Sequence, residues 1–357
     1  MYISNNAFTR PDILHKERFP KSAPDCAVSE GRAIFGAFDG LIKDVNIHEA
    51  HRPLSLALPT FLNRQRIKEW EAYEVCFDEG FICGAIYNMG SAVFNVLMFY
   101  DRVDKTVKAR QIFSYPRKCV QNSLINSVNS LKTGAFKAEI RNNLESGRVF
   151  ISSDYSPRSP KHLPMGAELS FIALSSPVVT IMPLGENRPL YTYKNLFKAE
   201  GSIKIGDRVF KLNERSLGII DDHKGYYHRH MHYDWMTCMG FSGGLPLGLN
   251  LCKNQALEPD KYCENILWLG ERGHLLPNVD FQHLENGDWQ VFDKYGSVSL
   301  VFHIHDSYKL NRKFLGNGAD YTAPFGTVTG FVIDGDGNKI TLDGMTAMGE
   351  DISYNNI

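Results

Sequence analysis

The feature that most constrains the fold of this chain is a recurring pair of short strand-like runs joined by a tight polar turn. One such pair covers residues 201–212, where GSIKI and RVFKL flank Gly206 and Asp207. Glycine at the first central position suits a type II′ turn, whose twist matches that of an antiparallel hairpin. The same form recurs in four further segments, residues 73–88, 94–113, 288–305 and 330–343. Successive hairpins build antiparallel sheets, which protect their edges by closing into barrels or by stacking as sandwiches.

Segments with apolar residues at helical spacing are scarce, so we predict an all-β, mainly antiparallel protein with few short helices. A helical turn is expected within FLNRQRIKEWEAY, residues 61–73. The 357 residues exceed the length at which a single core usually stops growing. The Pro-, Gly- and Asn-rich segment 182–195 has hairpins on both sides and is typical of a connection. We therefore predict two lobes, residues 1–190 with a loop-rich N-terminal segment, and residues 191–357.

The charge balance and the cysteines exclude several classes of protein. Lys and Arg total 39 against 40 Asp and Glu, and no long basic block offers the charge that nucleic acid binding needs. The seven cysteines are scattered without a C-x-x-C, which argues against a disulfide framework and a thiolate zinc site. No apolar run is long enough for a membrane helix, and the N-terminus lacks the apolar core of a signal peptide. We predict a cytoplasmic protein without nucleic acid partners or an integral membrane segment.

The densest group of chemically active side chains lies in GIIDDHKGYYHRHMHYDW, residues 218–235. Asp222 and His223 form the candidate acid/base pair, because a carboxylate bound to one imidazole nitrogen raises the basicity of the other. Adjacent carboxylates of an extended chain point to opposite faces, so only one can share the surroundings of His223. We assign that place to Asp222 and regard Asp221 as a turn cap. The structural alternative for the pair is a capped turn before Gly225, with His223 bonded to backbone.

Strand parity divides the rest of this stretch into two faces. If residues 226–239 form a strand, one face carries Tyr227, Arg229, Met231, Tyr233, Trp235 and Met239. The other face carries His228, His230, His232, Asp234 and Cys238. Alternate imidazoles could converge on a metal, but Lys224 and Arg229 nearby would oppose a cation. We predict no metal site and keep His228, His230 and His232 as the alternative.

Two polar residues outside this stretch are candidate ligand-binding groups. Glu264, in YCENILWLG, is a carboxylate inside strand-like sequence, and a buried carboxylate needs partners. It either lines a pocket or belongs to a structural hydrogen-bond group. Arg188, in a turn after Gly185, either clamps an anion or forms an ion pair between the lobes. FSGGLPLG, residues 241–248, lacks the residue order of a phosphate loop, and we expect no cofactor.

The order of several motifs resembles the bacterial family called domain of unknown function 2804. They include FGAFDGLIKDVN (35–46), RSLGIIDDHKGYY (215–227), YDWMT (233–237) and PFGTVTGFVIDGDGNKITLDGMTAMGED (324–351). The resemblance covers nearly the whole chain. More distantly, G-x-I-x-I-G at residues 201–206, ahead of an Asp-His, resembles the start of the second lobe in the carotenoid hydratase (hydroxyneurosporene synthase) group.

The nearer family is uncharacterised and implies no activity, whereas the more distant group implies two lipocalin-like β-barrel lobes that bind or act on hydrophobic ligands. In that group the Asp-His lies near the ligand cavity, and it corresponds to Asp222 and His223. Asp234 is the candidate for a further acidic partner. The resemblance leaves the ligand and the oligomeric state open.

Two functions from different classes are compatible with these residues. The first is a cofactor-independent hydratase, lyase or isomerase that acts on a lipophilic, isoprenoid-like substrate, with Tyr226, Tyr227 and Trp235 stabilising a developing cation. The second is a non-catalytic binder of a lipid or small molecule, in which the same groups only orient a ligand. A carbohydrate-active enzyme with paired carboxylates is a third alternative.

Overall fold

A computed structural model of the chain describes residues 20–314 and 317–355. Almost all regular structure in these residues is β-strand. The single α-helix of these residues, α1, spans Thr60–Gln65, and 3₁₀ turns span Ile47–Glu49 and Leu144–Ser146. The predicted all-β, mainly antiparallel fold is confirmed. The predicted loop-rich N-terminal segment lies outside the described residues as far as residue 19.

The strands form two large sheets and one short ribbon. In chain order, the strands up to residue 225 are β1 (Pro20–Ser22), β2 (Val28–Ser29), β3 (Arg32–Ala33), β4 (Gly36–Asp39), β5 (Lys68–Phe77), β6 (Gly80–Asn88), β7 (Val93–Asp101), β8 (Thr106–Ser114), β9 (Ser127–Thr133), β10 (Phe136–Asn143), β11 (Arg148–Tyr155), β12 (Met165–Ala173), β13 (Val178–Pro183), β14 (Pro189–Ile205), β15 (Arg208–Lys211) and β16 (Leu217–Gly225). The remaining strands are β17 (His230–Ser242), β18 (Leu245–Lys253), β19 (Ile266–Leu269), β20 (Arg272–Leu275), β21 (Asp280–His283), β22 (Trp289–Phe292), β23 (Val298–Phe314), β24 (Asn317–Ile333), β25 (Lys339–Thr341) and β26 (Met345–Asn355).

The first sheet forms a nearly closed barrel. Its main path runs β8-β7-β6-β5-β16-β14-β12-β11-β10-β9, and the two end strands, β8 and β9, approach each other. β2 and β3 pair only with each other, and β1 pairs with β4 in parallel. The second sheet runs β20-β19-β18-β17-β26-β24-β23-β22-β21 and curves into a half-barrel, with β25 at the side of β24. We call these two bodies the first and second lobes.

The two lobes meet through a third hydrophobic core that lies between the sheets. One core fills the first barrel, another fills the curve of the second sheet, and the third contains side chains from both. Phe325 of β24 packs edge-on against Phe81 at 6.0 Å and stacks on Tyr100 at 5.7 Å. The Tyr100 hydroxyl lies 2.6 Å from Nδ1 of His305. The part of the outer face of the first barrel that carries Phe81 and Tyr100 is therefore buried against the second lobe.

The sheets change over between Gly225 and His230, later in the chain than the predicted division at residues 190 and 191. The turn-rich segment before that division connects β13 to β14, which pair as a hairpin within the first sheet. Pro189 is tolerated there because it is the first residue of its strand. Whether the lobes are independent domains stays a prediction. Among the described residues, no helix has the length and apolarity that crossing a bilayer requires.

Candidate functional site

A small cavity between the two lobes collects most of the buried ionisable side chains of the interface. Its volume is about 30 Å³, which is room for about one water molecule. β5, β6, β14 and β16 supply one wall, and β17, β18 and β26 supply the other. The lining residues are Trp70, Ala72, Glu74, Cys83, Tyr87, Leu190, Asp221, His223, Tyr227, Tyr233, Trp235, Cys252, Asn254, Glu264 and Glu350. We call this the inter-lobe cavity.

Four charged side chains form one buried cluster at this cavity. The alternation of β16 points Asp221 and His223 toward the second lobe, and Lys194 of β14 lies opposite Asp221 in the strand register. His223 Nε2 lies 2.9 Å from Asp221 Oδ1 and 3.4 Å from Glu264 Oε2. Lys194 forms an ion pair with Asp221, and its Nζ lies 3.3 Å from Glu264 Oε2. Two carboxylates thus face two basic groups.

Mutual attraction keeps the members of this cluster charged. Burial alone would raise the pKa of Asp221 and of Glu264, but Lys194 and His223 outweigh it and lower both. Burial likewise opposes the charged forms of His223 and Lys194, yet the carboxylate of Asp221, with that of Glu264, raises the pKa of each. The net balance therefore favours the imidazolium form of His223.

The imidazole of His223 is held by two aromatic residues. The ring of Trp70 stacks on it at 4.6 Å with an interplanar angle of 11°, a geometry that favours a cation. On the other edge, the hydroxyl of Tyr227 lies 3.1 Å from Nδ1. Arg188 donates hydrogen bonds to the backbone carbonyls of Tyr226 and Tyr227. Arg188 therefore acts on the cavity only through the position of Tyr227.

Two further carboxyl groups at the cavity, those of Glu350 and Glu74, have pKa values raised above the ordinary value of glutamate. Burial raises the pKa of Glu350 to about 7, although hydroxyls of Tyr321 and Tyr233 donate to its Oε1 and Oε2 at 2.7 and 3.1 Å. Burial and the Asp221 carboxylate raise the pKa of Glu74 well above its ordinary value. Glu74 Oε2 is buried without a hydrogen-bond partner. The cavity thus contains two carboxyl groups with raised pKa values, and that of Glu350 lies near neutral pH.

The predicted pairing of Asp222 with His223 is not formed, because adjacent residues of β16 point to opposite faces. Asp222 lies inside the first barrel, where both its oxygens accept hydrogen bonds from Lys224 at 2.9 and 2.8 Å. Burial and the Asp222 carboxylate raise the pKa of the neighbouring Glu71 to about 8. Asp221, which we predicted to be a turn cap, occupies the place beside His223.

Asp234 lies outside the inter-lobe cavity because Tyr233 and Trp235, its neighbours on β17, take the inward positions. Its Oδ1 lies 3.0 Å from Nε2 of His283. Asp234, His283 and Asp351 each offer one atom that could bind a metal ion, and these three atoms lie within 4.8 Å of one another.

The three histidines kept as a metal alternative have separate partners. His228 contacts Arg188, His230 contacts Asn355, and His232 lies 3.0 Å from the carbonyl of Ile352. Burial and the neighbouring guanidinium lower the pKa of His228. These three imidazoles do not face one common point.

The predicted ligand-binding residues are divided between the cavity and its surroundings. Tyr227, Trp235 and Glu264 line the cavity. Tyr226 packs in the core of the first barrel, and Arg188 lies behind the cavity wall. Lys194, Glu74 and Glu350, which complete the site, were missed by the sequence analysis. The signal for the first two was a charged residue inside an otherwise apolar strand, in YTYKNLF and YEVCF.

A second cavity of about 20 Å³ adjoins the first and shares Trp70, Tyr87 and Tyr233 with it. Its other walls are mainly aromatic and aliphatic and include Tyr308, Tyr321, Phe94, Met231, Ile352 and Tyr354. A molecule larger than a water reaches the charged cluster from this side only if some of these rings turn aside. The surface it would meet is apolar, apart from phenol groups and the amide of Gln111.

The chain belongs to the family described as Domain of unknown function (DUF2804), which matches residues 23–355. The family resemblance seen in the sequence is therefore confirmed. No curated protein matches the chain.

Several solved structures are similar to this chain at low sequence identity, and CghA shares its overall fold. CghA, alone and with Sch210972, gives TM-scores of 0.55 and 0.54 at 11% identity over 95% of this chain and 98% of that chain. An AttH protein of Nitrosomonas europaea gives 0.46 at 12% identity over 81% and 93% of the two chains. Kievitone hydratase from Nectria haematococca gives 0.47 at 9% identity over 80% and 88%. At such identities the likeness concerns the fold alone.

Proposed function

We propose that this protein is a cofactor-independent hydratase, lyase or isomerase that transfers protons on a small, mainly apolar molecule held between its lobes. The observation that carries this proposal is the spread of pKa values among carboxyl groups around one cavity. The pKa of Glu264 is lowered, that of Glu74 is raised well above its ordinary value, and that of Glu350 is about 7. Environments that push such values apart are the mark of acid/base chemistry.

Glu350 is the proposed general acid and base, because proton transfer is most efficient when the pKa of the catalyst lies near the working pH. His223, whose raised pKa favours the imidazolium form, supplies positive charge and a second proton. Asp221 orients that imidazole and keeps it charged. Asp222 and Asp234, predicted as catalytic residues, have no role in this proposal because neither lines the cavity.

The aromatic lining supports an apolar or unsaturated substrate. Trp70, Tyr87, Tyr233 and Trp235 line the cavity next to the proton-transfer groups, and aromatic rings stabilise a positive charge that develops during alkene protonation. A cavity that excludes bulk water also limits the reaction to the molecule placed there. CghA, which has the same overall fold, has been crystallised with Sch210972, so this fold accommodates a small molecule in that protein.

We also propose a cytoplasmic location, on the strength of the cysteines. All seven are free thiols, although five of them are buried in the two lobes. A reducing compartment suits such a set.

The proposal is tested by identifying the bound molecule and following isotopes. Native mass spectrometry of protein purified gently from its host detects the molecule that copurifies. That molecule is then incubated with the enzyme in deuterated water and, separately, in ¹⁸O-water. A hydratase introduces ¹⁸O at one carbon and deuterium at its neighbour, whereas an isomerase whose catalytic proton exchanges with solvent introduces deuterium at carbon and no ¹⁸O.

The Glu350→Gln variant should slow label incorporation by about a hundredfold or more, since a positioned acid/base group contributes at least that much. Glu285→Gln, on the exposed surface of the second lobe, is the matched control and should behave like wild type. Binding without chemistry is the alternative function. Binding without chemistry is supported if wild type and Glu350→Gln bind the molecule equally and neither deuterium nor ¹⁸O enters it.

A further inference from the structure

A wide groove lies next to the inter-lobe cavity, on the outer side of the backbone that carries Tyr227. Its volume is about 1160 Å³. Residues 51–56 and 58 form one wall, residues 184–188 form the floor, and residues 228–230 with Gln255 form the other wall. Asn254 lines the cavity while the next residue, Gln255, lines the groove. We call this the basic groove.

Four arginines converge on the basic groove without a carboxylate to balance them. They are Arg52, Arg66, Arg188 and Arg229. Glu186 is the one acidic residue among the lining side chains, and no guanidinium of the four forms an ion pair with any described carboxylate. Burial and the nearby charge of Arg66 lower the pKa of Arg188, which shows that these two cations repel each other. An anion placed between them would relieve that repulsion.

The same groove also exposes apolar side chains. Leu54, Leu56 and Leu58 alternate along one wall, and Leu56 is 62% exposed to solvent. A groove lined by arginines alone would suit a simple ion. This one offers a place for a hydrocarbon segment beside the positive charges.

Asn187 ties the walls of the groove together. Its Nδ2 donates to the carbonyls of Gly31 and His51, both at 2.8 Å, and its Oδ1 accepts from the amide of Ala33 at 2.9 Å. One side chain in the floor thus fixes the start of the leucine-bearing wall. The groove is a shaped feature of the fold, and its size falls near the upper end of small-molecule sites.

We infer that the basic groove binds a small anionic amphiphile, a free molecule in which a phosphate or carboxylate group is joined to an apolar chain. The arginines recognise the oxyanion, since the guanidinium fork matches the geometry of phosphate and carboxylate. The leucines contact the chain. This site is separate from the proton-transfer groups of the inter-lobe cavity, and the inference holds whether or not that cavity is catalytic.

Isothermal titration calorimetry of the full chain with octyl phosphate, 1-octanol and inorganic pyrophosphate tests both halves of the inference. Octyl phosphate should bind wild type about tenfold or more tightly than 1-octanol or pyrophosphate, as expected if charge and chain each contribute about 1.4 kcal/mol. Equal affinity for octyl phosphate and 1-octanol would overturn the role of the arginines. Equal affinity for octyl phosphate and pyrophosphate would overturn the role of the apolar wall.

The double variant Arg66→Gln/Arg229→Gln removes two of the charges without disturbing Arg188, which holds backbone carbonyls in place. Its affinity for octyl phosphate should fall about tenfold or more, while that for 1-octanol stays unchanged. Arg148→Gln/Arg158→Gln, with the same charge change at exposed positions elsewhere in the first lobe, should bind as wild type does. Equal loss in the two double variants would contradict the site, and thermal unfolding of each checks that the fold is retained.

Discussion

The two faces of strand β16 carry neighbouring polar residues into two different environments. Asp222 and Lys224 point into the first barrel, where they bond to each other beside Glu71. Asp221 and His223 point outward into the inter-lobe cavity and meet Lys194 and groups from the second lobe. Asp222 and Lys224 of the inner set bond to each other, and Lys224 also lines a separate cavity of about 290 Å³, whereas the outer set faces the inter-lobe cavity. Four consecutive residues thus serve two polar sites, and position within the strand decides which site each residue reaches.

Removal of the Lys194 ammonium from the cluster at the inter-lobe cavity should reduce stability most. Lys194→Met leaves Asp221 and Glu264 buried with only His223 as a shared basic partner, and breaking a buried ion pair costs about 3–5 kcal/mol. Urea denaturation measures the change in the free energy of unfolding. Lys198→Met, on the same strand with a partly exposed side chain, is the control and should cost less than about 1 kcal/mol. Similar losses in both variants would show that the outer cluster adds nothing to stability.

The pKa of His223 should depend strongly on Asp221, which lies on the same face of β16, and much less on Asp222, which lies on the other face. Burial lowers the pKa of His223, and the largest opposing contribution comes from Asp221. Asp221→Asn should therefore lower the pKa of this imidazole, while Asp222→Asn, on the other face, should have a much smaller effect. NMR titration of the ring resonances measures both. A larger shift in Asp222→Asn would restore the pairing that the sequence suggested.

The same pair of variants predicts a pH dependence of stability. Because folding raises the pKa of His223, its contribution to stability is fully present below the unfolded pKa of about 6.5 and is lost as pH rises through the folded value. Unfolding free energies measured across this range should fall with pH in wild type and in Asp222→Asn. The decrease of the unfolding free energy with pH should be smaller in Asp221→Asn. An equal slope in all three proteins would contradict the claim that Asp221 raises the pKa of His223.

Two adjacent tyrosines provide the smallest and most closely matched comparison. The hydroxyl of Tyr227 contacts His223, whereas the hydroxyl of Tyr226 is buried without a hydrogen-bond partner. Tyr227→Phe should cost about 0.5–1.5 kcal/mol of stability, the usual net value of one hydrogen bond. Tyr226→Phe should be neutral or slightly stabilising, because it removes a buried polar atom that has no partner. The reverse order, seen in thermal unfolding, would place the functional tyrosine on the other face.

The fold was predictable from the sequence because hairpins are local. Turn residues such as Gly206 and Asp207, with alternating strands on either side, need no knowledge of distant parts of the chain. The position of the lobe boundary was less accessible. The Pro- and Gly-rich segment before Pro189 has the composition of a linker but forms a hairpin turn, and composition alone does not separate the two.

The candidate site could be predicted only in part from the sequence, because its residues are brought together by strand alternation and by long-range strand register. The DDHK stretch stood out by composition, but the partner of His223 follows from strand alternation, which places residue 221 and not 222 on the same face. Lys194 reaches the site through the register between β14 and β16, and Glu350 reaches it only because the second lobe packs on the first. Long-range register of this kind leaves no local pattern in the sequence.

The central claim is that the outer face of β16 borders a proton-transfer site in which Glu350 exchanges its proton near neutral pH. Infrared difference spectroscopy across a pH titration, with Glu350→Gln identifying the band, measures this carboxyl group directly. The structure predicts a protonated carboxyl band that disappears with a pKa of about 7 and is missing from the variant. A carboxyl group that is already ionised at pH values near the ordinary glutamate pKa, about 4.3, would contradict the account.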